Sequence, residues 1–311
     1  MQSSFTIFSG SSHPKLAEEI ATSLHVKLGK VAIERFPDGE IGMQVLENVR
    51  GKDVFIVQSV ARRPNHYLME LLILVDALKR ASVRSVTAVM PYYPYARQDR
   101  KEKGRVPITA KLVADLLERA GVHRVLTMDL HTEQIQGFFN IPVDNLTARP
   151  AFVAELKKLG VKNSVIVSTD VGSNRMARKY AEALKLDLAI IDKRRISAEK
   201  VEVYGLIGDV NGKQAILVDD IWSTGKTLKT AAKKCKEQGA KSVLAVVTHG
   251  LMLGVEGIEE IDSIWVTNTI PSQPQTPAGV KSLSIAPLFG KAIDCIVSAK
   301  SLSALFKSEE G

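Results

Sequence analysis

The chain has 311 residues, 45% of them hydrophobic and 24% charged, which suits one large or two medium globular domains, each able to bury its own core. A net charge of +8 admits nucleic acid, an acidic membrane surface or polyanionic small substrates, but aromatic residues are only 5% and no nucleic-acid module is visible. No apolar run reaches the roughly 18 residues of a membrane span, the nearest, Leu68 to Leu78, being broken by Glu70 and Asp76.

The first residues, Met1 to His13, have neither a basic n-region nor a long apolar h-region, so a cytoplasmic location is expected. Cys235 and Cys295 lack any Cys-x-x-Cys or Cys/His ligand spacing and read as small buried hydrophobes.

In chain order, Lys15 to Leu24 reads as a helix, and Arg35-Phe-Pro-Asp-Gly-Glu-Ile41 as a strand, a Pro-Asp-Gly turn and another strand. Strand Val54 to Val60, helix Tyr67 to Ala81 and strand Val86 to Met90 come next. The connection after them, Tyr93-Pro-Tyr-Ala-Arg-Gln-Asp-Arg-Lys101, sets aromatics beside a dense polar group. Arg97 there could grip a triphosphate in bidentate fashion or stack on a base, and Gln98 and Asp99 could read polar edges; a charged loop without a ligand is the alternative.

Helix Thr109 to Ala120 leads to strand Arg124 to Met128 and then Asp129-Leu-His131, where an extended backbone would point Asp129 and His131 to one face. His131 could ligate a metal, accept a proton or simply be hydrogen-bonded. The segment Asn145-Leu-Thr-Ala-Arg-Pro150 is a plausible boundary, dividing the chain into residues 1–146 and 147–311.

The second half repeats the alternation: helix Ala151 to Leu159, strand Ser164 to Ser168, helix Arg175 to Leu184 and strand Leu188 to Ile191. Asp170, at a strand end, could supply a second oxygen ligand, and Mg²⁺ held chiefly by nucleotide phosphates suits so sparse a set. Lys193-Arg-Arg195 precedes a polar Ser-Ala-Glu-Lys loop; it is either a solubilising turn or a cluster of cations that closes over a polyphosphate. The basic segments beside strand ends, Arg97 to Arg105 and Lys193 to Arg195, favour phosphorylated metabolites over nucleic acid or membrane.

The densest signal is Gln214 to Thr227, where the apolar run Ala215 to Val218 meets Asp219 and Asp220 and then Ser223-Thr-Gly-Lys-Thr227. The run suits a strand buried on both faces and Lys226 to Gln238 suits the helix after it, so the turn lies at a carboxyl strand end, where open α/β sheets bind ligands. Backbone N–H groups and the hydroxyls of Ser223, Thr224 and Thr227 would cradle a phosphate. The two acids would repel it and fit sugar hydroxyls instead. A Walker A loop is excluded, because it needs glycine where Asp220 stands. Strands Val243 to Val247 and Ser263 to Val266 complete a βαβ alphabet with largely parallel sheets.

Taken together, these segments resemble class I ribose-phosphate diphosphokinases, the phosphoribosyl pyrophosphate synthetases. The likeness runs in order through Phe8-Ser-Gly-Ser-Ser-His-Pro14, Arg35-Phe-Pro-Asp-Gly-Glu40, Leu68-Met-Glu-Leu-Leu72, Asp76-Ala-Leu-Lys-Arg-Ala-Ser82, Tyr95-Ala-Arg-Gln-Asp-Arg-Lys101, Pro107-Ile-Thr-Ala-Lys111 and Met128 to Phe139. The resemblance implies an α/β fold of two phosphoribosyltransferase-like domains, a homohexamer, Mg²⁺ dependence, and transfer of diphosphate from ATP to ribose 5-phosphate. By resemblance, Phe36, Asp38, Gly39 and Glu40 of a neighbouring copy join Arg97, Gln98 and Asp99 at ATP. His131 and Asp170 hold the metal, and Lys193 and Arg195 are the catalytic cations. Arg195, Asp219, Asp220, Ser223, Thr224, Gly225, Lys226 and Thr227 bind ribose 5-phosphate.

The chain departs from the pattern twice. Ser223-Thr-Gly-Lys-Thr227 stands where the family usually has Asp-Thr-Ala-Gly-Thr, and Ser168-Thr-Asp-Val-Gly-Ser-Asn-Arg-Met176 puts Ser173 in place of a second glycine and Met176 in place of an arginine. Two further readings stay open: a non-catalytic regulatory paralogue, or a phosphoribosyltransferase. An RNA-binding role ranks last.

Overall fold

The computed structural model describes residues 5–170, 172–195, 201–253, 258–274, 276–277 and 279–305, with the side chains of 193–195, 201–204 and 304 outside the description. The chain divides into two compact units. The first takes the residues up to Thr147 together with Thr269–Pro271 and Ser284–Leu305, and the second Ala148–Asn268 and Ser272–Leu283.

The first unit is built on a five-stranded, wholly parallel sheet of β1 (Phe5–Ser9), β4 (Asp53–Val57), β5 (Ser85–Met90), β6 (Arg124–Met128) and β7 (Val143–Leu146) in that spatial order. Strands β2 (Val31–Arg35) and β3 (Ile41–Val45) form a separate antiparallel ribbon. Helices α1 (Pro14–Ser23), α2 (Pro64–Arg80) and α3 (Thr109–Ala120) cover the sheet, and Phe8, Ile56, Leu71, Leu74, Val86 and Leu117 share its core. Proline opens α1 and α2 in the first turn, where its missing N–H has no intrahelical acceptor to lose.

The second unit holds a seven-stranded sheet in the order β10-β9-β8-β11-β12-β13-β14. Its strands are β8 (Ser164–Ser168), β9 (Asp187–Arg195), β10 (Val201–Ile207), β11 (Gln214–Trp222), β12 (Ser242–Gly250), β13 (Ser263–Thr267) and β14 (Val280–Leu283). All neighbours are parallel except β10 on β9. Helices α4 (Arg149–Leu159), α5 (Asn174–Leu184) and α6 (Lys226–Glu237) connect them. From β8 the chain winds first to β9 on one side and then to β11 on the other, so the winding direction reverses between β8 and β11. Ligands of open α/β sheets bind at such reversals.

Every strand and helix expected from the sequence is present within a few residues, and four strands and one helix were not expected: β1, β7, β10, β14 and α7 (Ala286–Val297). β7 and β14 have four residues each with polar side chains among them, too short for an alternation signal. α7 carries Gly290 in its interior, which weakens the sequence signal for a helix. Packing explains it: α7 returns to the first unit against α1, where a methyl group at position 290 would come within 2.2 Å of Ser23 Oγ. The Ser-Ala-Glu-Lys segment after the basic cluster lies outside the described residues.

One buried acid ties the carboxyl ends of β1 and β4 to α2. Glu70 is 1% exposed and accepts hydrogen bonds from Ser11 N–H (2.7 Å), Ser11 Oγ (2.5 Å) and Gln58 Nε2 (2.8 Å). Removing the carboxylate takes the acceptor from three partly or wholly buried donors, each such loss costing about 1–3 kcal/mol. Glu70→Ala is therefore expected to lower the melting temperature by about 5–10 °C, measured by differential scanning calorimetry.

Candidate active site

Parallel register determines which side chains meet at the reversal point. Gln214 to Val218 of β11 pair with Ser164 to Ser168 of β8, so the residues just beyond, Thr169 and Asp170 on one side and Asp219 on the other, emerge together. Thr169 Oγ1–H donates to Asp219 Oδ2 at 2.9 Å, and the Asp220 N–H donates to Asp219 Oδ1, also at 2.9 Å. Burial above all, then the negative charges of Asp220 and Asp170, push the Asp219 carboxyl well above the usual carboxylate range, against a smaller opposing pull from the Thr169 hydroxyl. The sequence placed both acids after the strand; β11 instead runs through them to Trp222, held by the pairing of Ile221 with His249 and Trp222 with Gly250 on β12.

Asp170 turns back on its own loop. Its Oδ1 accepts from the Ser173 N–H at 2.9 Å, while Ser173 Oγ lies 2.8 Å from Ser168 Oγ and 3.2 Å from Thr169 Oγ1. Ser173 has φ −79°, an ordinary value for any residue, and caps α5 by position. The serine that replaces a glycine is thus knotted into the turn through its hydroxyl, and its backbone makes no demand that glycine alone could meet.

After Trp222 the segment 223–225 forms a bend and α6 begins at Lys226. Gly225 is its N-cap with φ +79°; no side chain caps this helix and no acid stands in its first turn. The N–H groups of the first turn are therefore offered outward beside the positive end of the helix dipole, an arrangement that binds anions. Glycine at 225 has a local cause that the sequence did not show. A methyl group there would meet Trp222 Nε1 at 2.7 Å, and Trp222 is the largest fully buried side chain among the described residues.

Lys193 and Arg195 lie on β9, paired with Val203 and Val201 of β10. β8 ends at Ser168 opposite Ile190, so both cations stand on the part of β9 that runs past the carboxyl end of its neighbour. Their side chains lie outside the described residues.

In the first unit, Phe36 is 47% exposed at the tip of the β2–β3 ribbon, whose turn is closed by Phe36 N–H to the Glu40 carbonyl (2.9 Å), Gly39 N–H to the Phe36 carbonyl (2.9 Å) and Glu40 N–H to Asp38 Oδ1 (3.1 Å). The segment carrying Arg97, Gln98 and Asp99 is tied to the His131 segment by Thr132 Oγ1–H donating to Asp99 Oδ2 at 2.9 Å. Asp129 has φ +37°, so the chain is not extended there and alternation does not set the direction of His131, contrary to the sequence expectation. His131 is exposed. Phe36 to Glu40, Arg97 to Asp99 and His131 belong to the first unit; Asp170, Lys193, Arg195, Asp219, Asp220 and Ser223 to Thr227 belong to the second.

Sequence reasoning assigned no role to Thr169, Ser173, Thr132 or Trp222. Of these only Ser173 left a trace, as the residue standing where a glycine was expected. The group chemistry fits a hard divalent cation, since register brings the oxygen donors of Asp170 and Asp219 to one strand edge. Among the described residues no cluster of three or more metal-ligating side chains occurs, so most ligands of such an ion would have to come from elsewhere.

A carboxyl that ionises less readily when folded than when unfolded stabilises the fold while protonated, and this contribution is lost as pH rises through the raised value. Asp219→Asn should therefore raise the melting temperature of the ligand-free protein at pH 8, the gain shrinking as pH is lowered to about 4, near the ordinary carboxylate value. Gly225→Ala should cost about 1–3 kcal/mol through the left-handed backbone and the contact with Trp222, seen as a lower melting temperature.

Residues 5–121 match the family model described as the N-terminal domain of ribose phosphate pyrophosphokinase, and residues 194–307 match the phosphoribosyl synthetase-associated domain. Ribose-phosphate pyrophosphokinase of Helicobacter hepaticus is 49% identical over 306 residues, covering 97% of this chain and 99% of that protein. The enzyme of the same name from Wolinella succinogenes is 50% identical with the same coverage. Among solved structures, phosphoribosylpyrophosphate synthetase from Mycobacterium smegmatis superposes with a TM-score of 0.89 at 40% identity, over 95% of this chain and 99% of that one. The α/β architecture of two phosphoribosyltransferase-like domains expected from the sequence is that of this structure. The chain belongs to the ribose-phosphate pyrophosphokinase family and is an enzyme of phosphoribosyl pyrophosphate synthesis.

Proposed function

We propose a division of labour among the named residues in the transfer of diphosphate from ATP to ribose 5-phosphate. The observation that carries the reading is the uncapped N-terminus of α6 beside the paired acids Asp219 and Asp220, at the point where the winding of the sheet reverses. The N–H groups and hydroxyls of Ser223 to Thr227, with the ammonium of Lys226, take the 5-phosphate, and Asp219 and Asp220 accept from the ribose hydroxyls.

The anomeric hydroxyl attacks the β-phosphorus, the new O–P bond forms as the α–β bridge breaks, AMP leaves and the hydroxyl proton is released. Little covalent chemistry falls to the protein, whose task is in-line positioning and neutralisation of charge. Lys193 and Arg195 meet the charge spread over the transferring phosphoryl oxygens, and Arg195 also contacts ribose 5-phosphate. His131 and Asp170 are the residues that would hold Mg²⁺, which would supply further charge neutralisation.

In this reading the N-terminal domain, residues 1–146, provides Arg97, Gln98 and Asp99 for the nucleotide. The C-terminal domain, residues 147–311, provides the ribose 5-phosphate loop. Phe36, Asp38, Gly39 and Glu40 act on the nucleotide of a neighbouring copy within a hexamer, which gives the exposed ring of Phe36 at the ribbon tip a surface to meet. No described helix is long and apolar enough to cross a membrane, and the reading places the enzyme in the cytoplasm, without nucleic acid or membrane as partner.

Purified protein given ATP, ribose 5-phosphate and Mg²⁺ is expected to form AMP. Lys193→Ala should lower kcat by about 10²-fold or more, the scale of losing one electrostatic group at a transition state. Chelation by EDTA should stop turnover and added Mg²⁺ should restore it. Parent AMP formation no greater than that of the variant would favour the non-catalytic paralogue, and consumption of added phosphoribosyl diphosphate only with a nucleobase would favour a phosphoribosyltransferase.

A further inference from the structure

Beneath the segment 223–227 lies the indole of Trp222, which is 1% exposed. Its Nε1 is buried and, among the described residues, has no hydrogen-bond partner. A buried donor without an acceptor is costly and rare in folded chains, so its presence here calls for an explanation.

The surroundings of the nitrogen limit where an acceptor can come from. It faces Gly225, since a methyl group at that position would stand 2.7 Å from it. Most carbonyls nearby are committed. Those of Trp222 and Ser223 accept from Met252 N–H (3.1 Å) and Leu253 N–H (2.9 Å), and that of Gly225 accepts from Lys229 N–H (2.9 Å) in the first turn of α6. The Thr224 carbonyl has no such partner among the described residues.

The peptide joining Thr224 to Gly225 is trans and planar, so its C=O and N–H point in opposite directions. Turning the Gly225 N–H outward to an anion must turn the Thr224 carbonyl inward, toward the indole. Such a rotation reverses the sign of φ at residue 225 from the observed +79°, the change that separates type II from type I turns. Glycine alone is at ease at both ends of it.

We propose that Trp222 is a positioning residue of the phosphate loop. On arrival of a phosphate monoester the Thr224–Gly225 peptide flips, and Trp222 Nε1–H holds the flipped form by donating to the Thr224 carbonyl. The proposal rests on the reading of Ser223 to Thr227 as the 5-phosphate loop. It ties together three features of this chain: a buried donor with no acceptor, a glycine one position earlier than the family pattern, and a helix without a cap.

The protein has two tryptophans, Trp222 and Trp265, so full-length protein labelled with ¹⁵N-indole gives two indole N–H signals, assigned with Trp265→Phe. With ribose 5-phosphate the Trp222 signal is expected to move downfield and its exchange with solvent to slow. Trp222→Phe keeps a ring and deletes the donor; it should raise KM for ribose 5-phosphate about fivefold, the worth of one ordinary hydrogen bond. Its kcat and its KM for ATP should stay within about twofold, a split that mere loosening of the core would not produce. If Trp222→Phe does not fold, the indole signal of the parent protein decides alone. Should ribose 5-phosphate move the Ser223 and Gly225 amide signals while the Trp222 indole and KM stay put, the proposal is overturned and the loop assignment survives. Saturable turnover with ribose 5-phosphate that moves neither the loop amides nor the indole overturns both.

Discussion

The parallel pairing of β8 with β11 is the constraint on which the second unit depends. Parallel strands deliver their carboxyl ends to one edge, and the reversal of winding between these two leaves a gap there that no crossover helix fills. The residues just past Ser168 and Val218 must therefore share a small space, and three of them are acids: Asp170, Asp219 and Asp220. Burial above all, and then the like charges of Asp220 and Asp170, raise the ionisation cost of Asp219. The structure answers with hydroxyls and N–H groups from Thr169, Asp220 and Ser173, each donating to a carboxylate oxygen. A site already crowded with negative charge is prepared for cations and sugar hydroxyls. The uncapped N-terminus of α6 stands at the far end of the same segment, and in the proposed function it takes the phosphate while the acids take the sugar hydroxyls.

The first unit meets a similar problem with a different device. There the carboxyl ends of β1 and β4 close around the buried carboxylate of Glu70, whose three hydrogen bonds bind two strand ends to α2. The strands β5 and β6 follow β4 in the same sheet. Asp99 and Thr132 link the two loops that leave them, so Arg97, Gln98 and His131 are carried on tied rather than independent segments. Side chains carried on segments tied in this way have less freedom to lose if a ligand binds them.

The two segments that depart from the family pattern are each accommodated by local contacts. Ser173 takes a glycine's place at a φ that any residue adopts, and its hydroxyl adds bonds to Ser168 and Thr169. Gly225 is required because the Trp222 indole occupies the space of its missing side chain. Lys226 then brings a cation to the first turn of α6, where the dipole disfavours it but a bound phosphate would favour it.

How much of this was legible from the amino acids alone varied with the range of the interaction. The β-branched runs at Ala215 to Val218 and Val243 to Val247 announce buried parallel strands because burial on both faces leaves no polar alternation, and that pattern is local. The acid pair, the hydroxyl-rich turn and the order of motifs are likewise local, and they named the family. Short polar edge strands such as Val143–Leu146 and the glycine-bearing helix Ala286–Val297 were silent, because their stability comes from neighbours far away in the chain. The left-handed Asp129 could not be foreseen, since its own N–H donates to the Leu146 carbonyl and the next N–H, of Leu130, to Asn145 Oδ1 across the sheet edge. Chemistry by residue type was thus determined by sequence; which acids crowd each other, which hydroxyls tie the turn at Ser173 and which indole N–H goes without an acceptor were decided only by register and packing, which side-chain types do not encode.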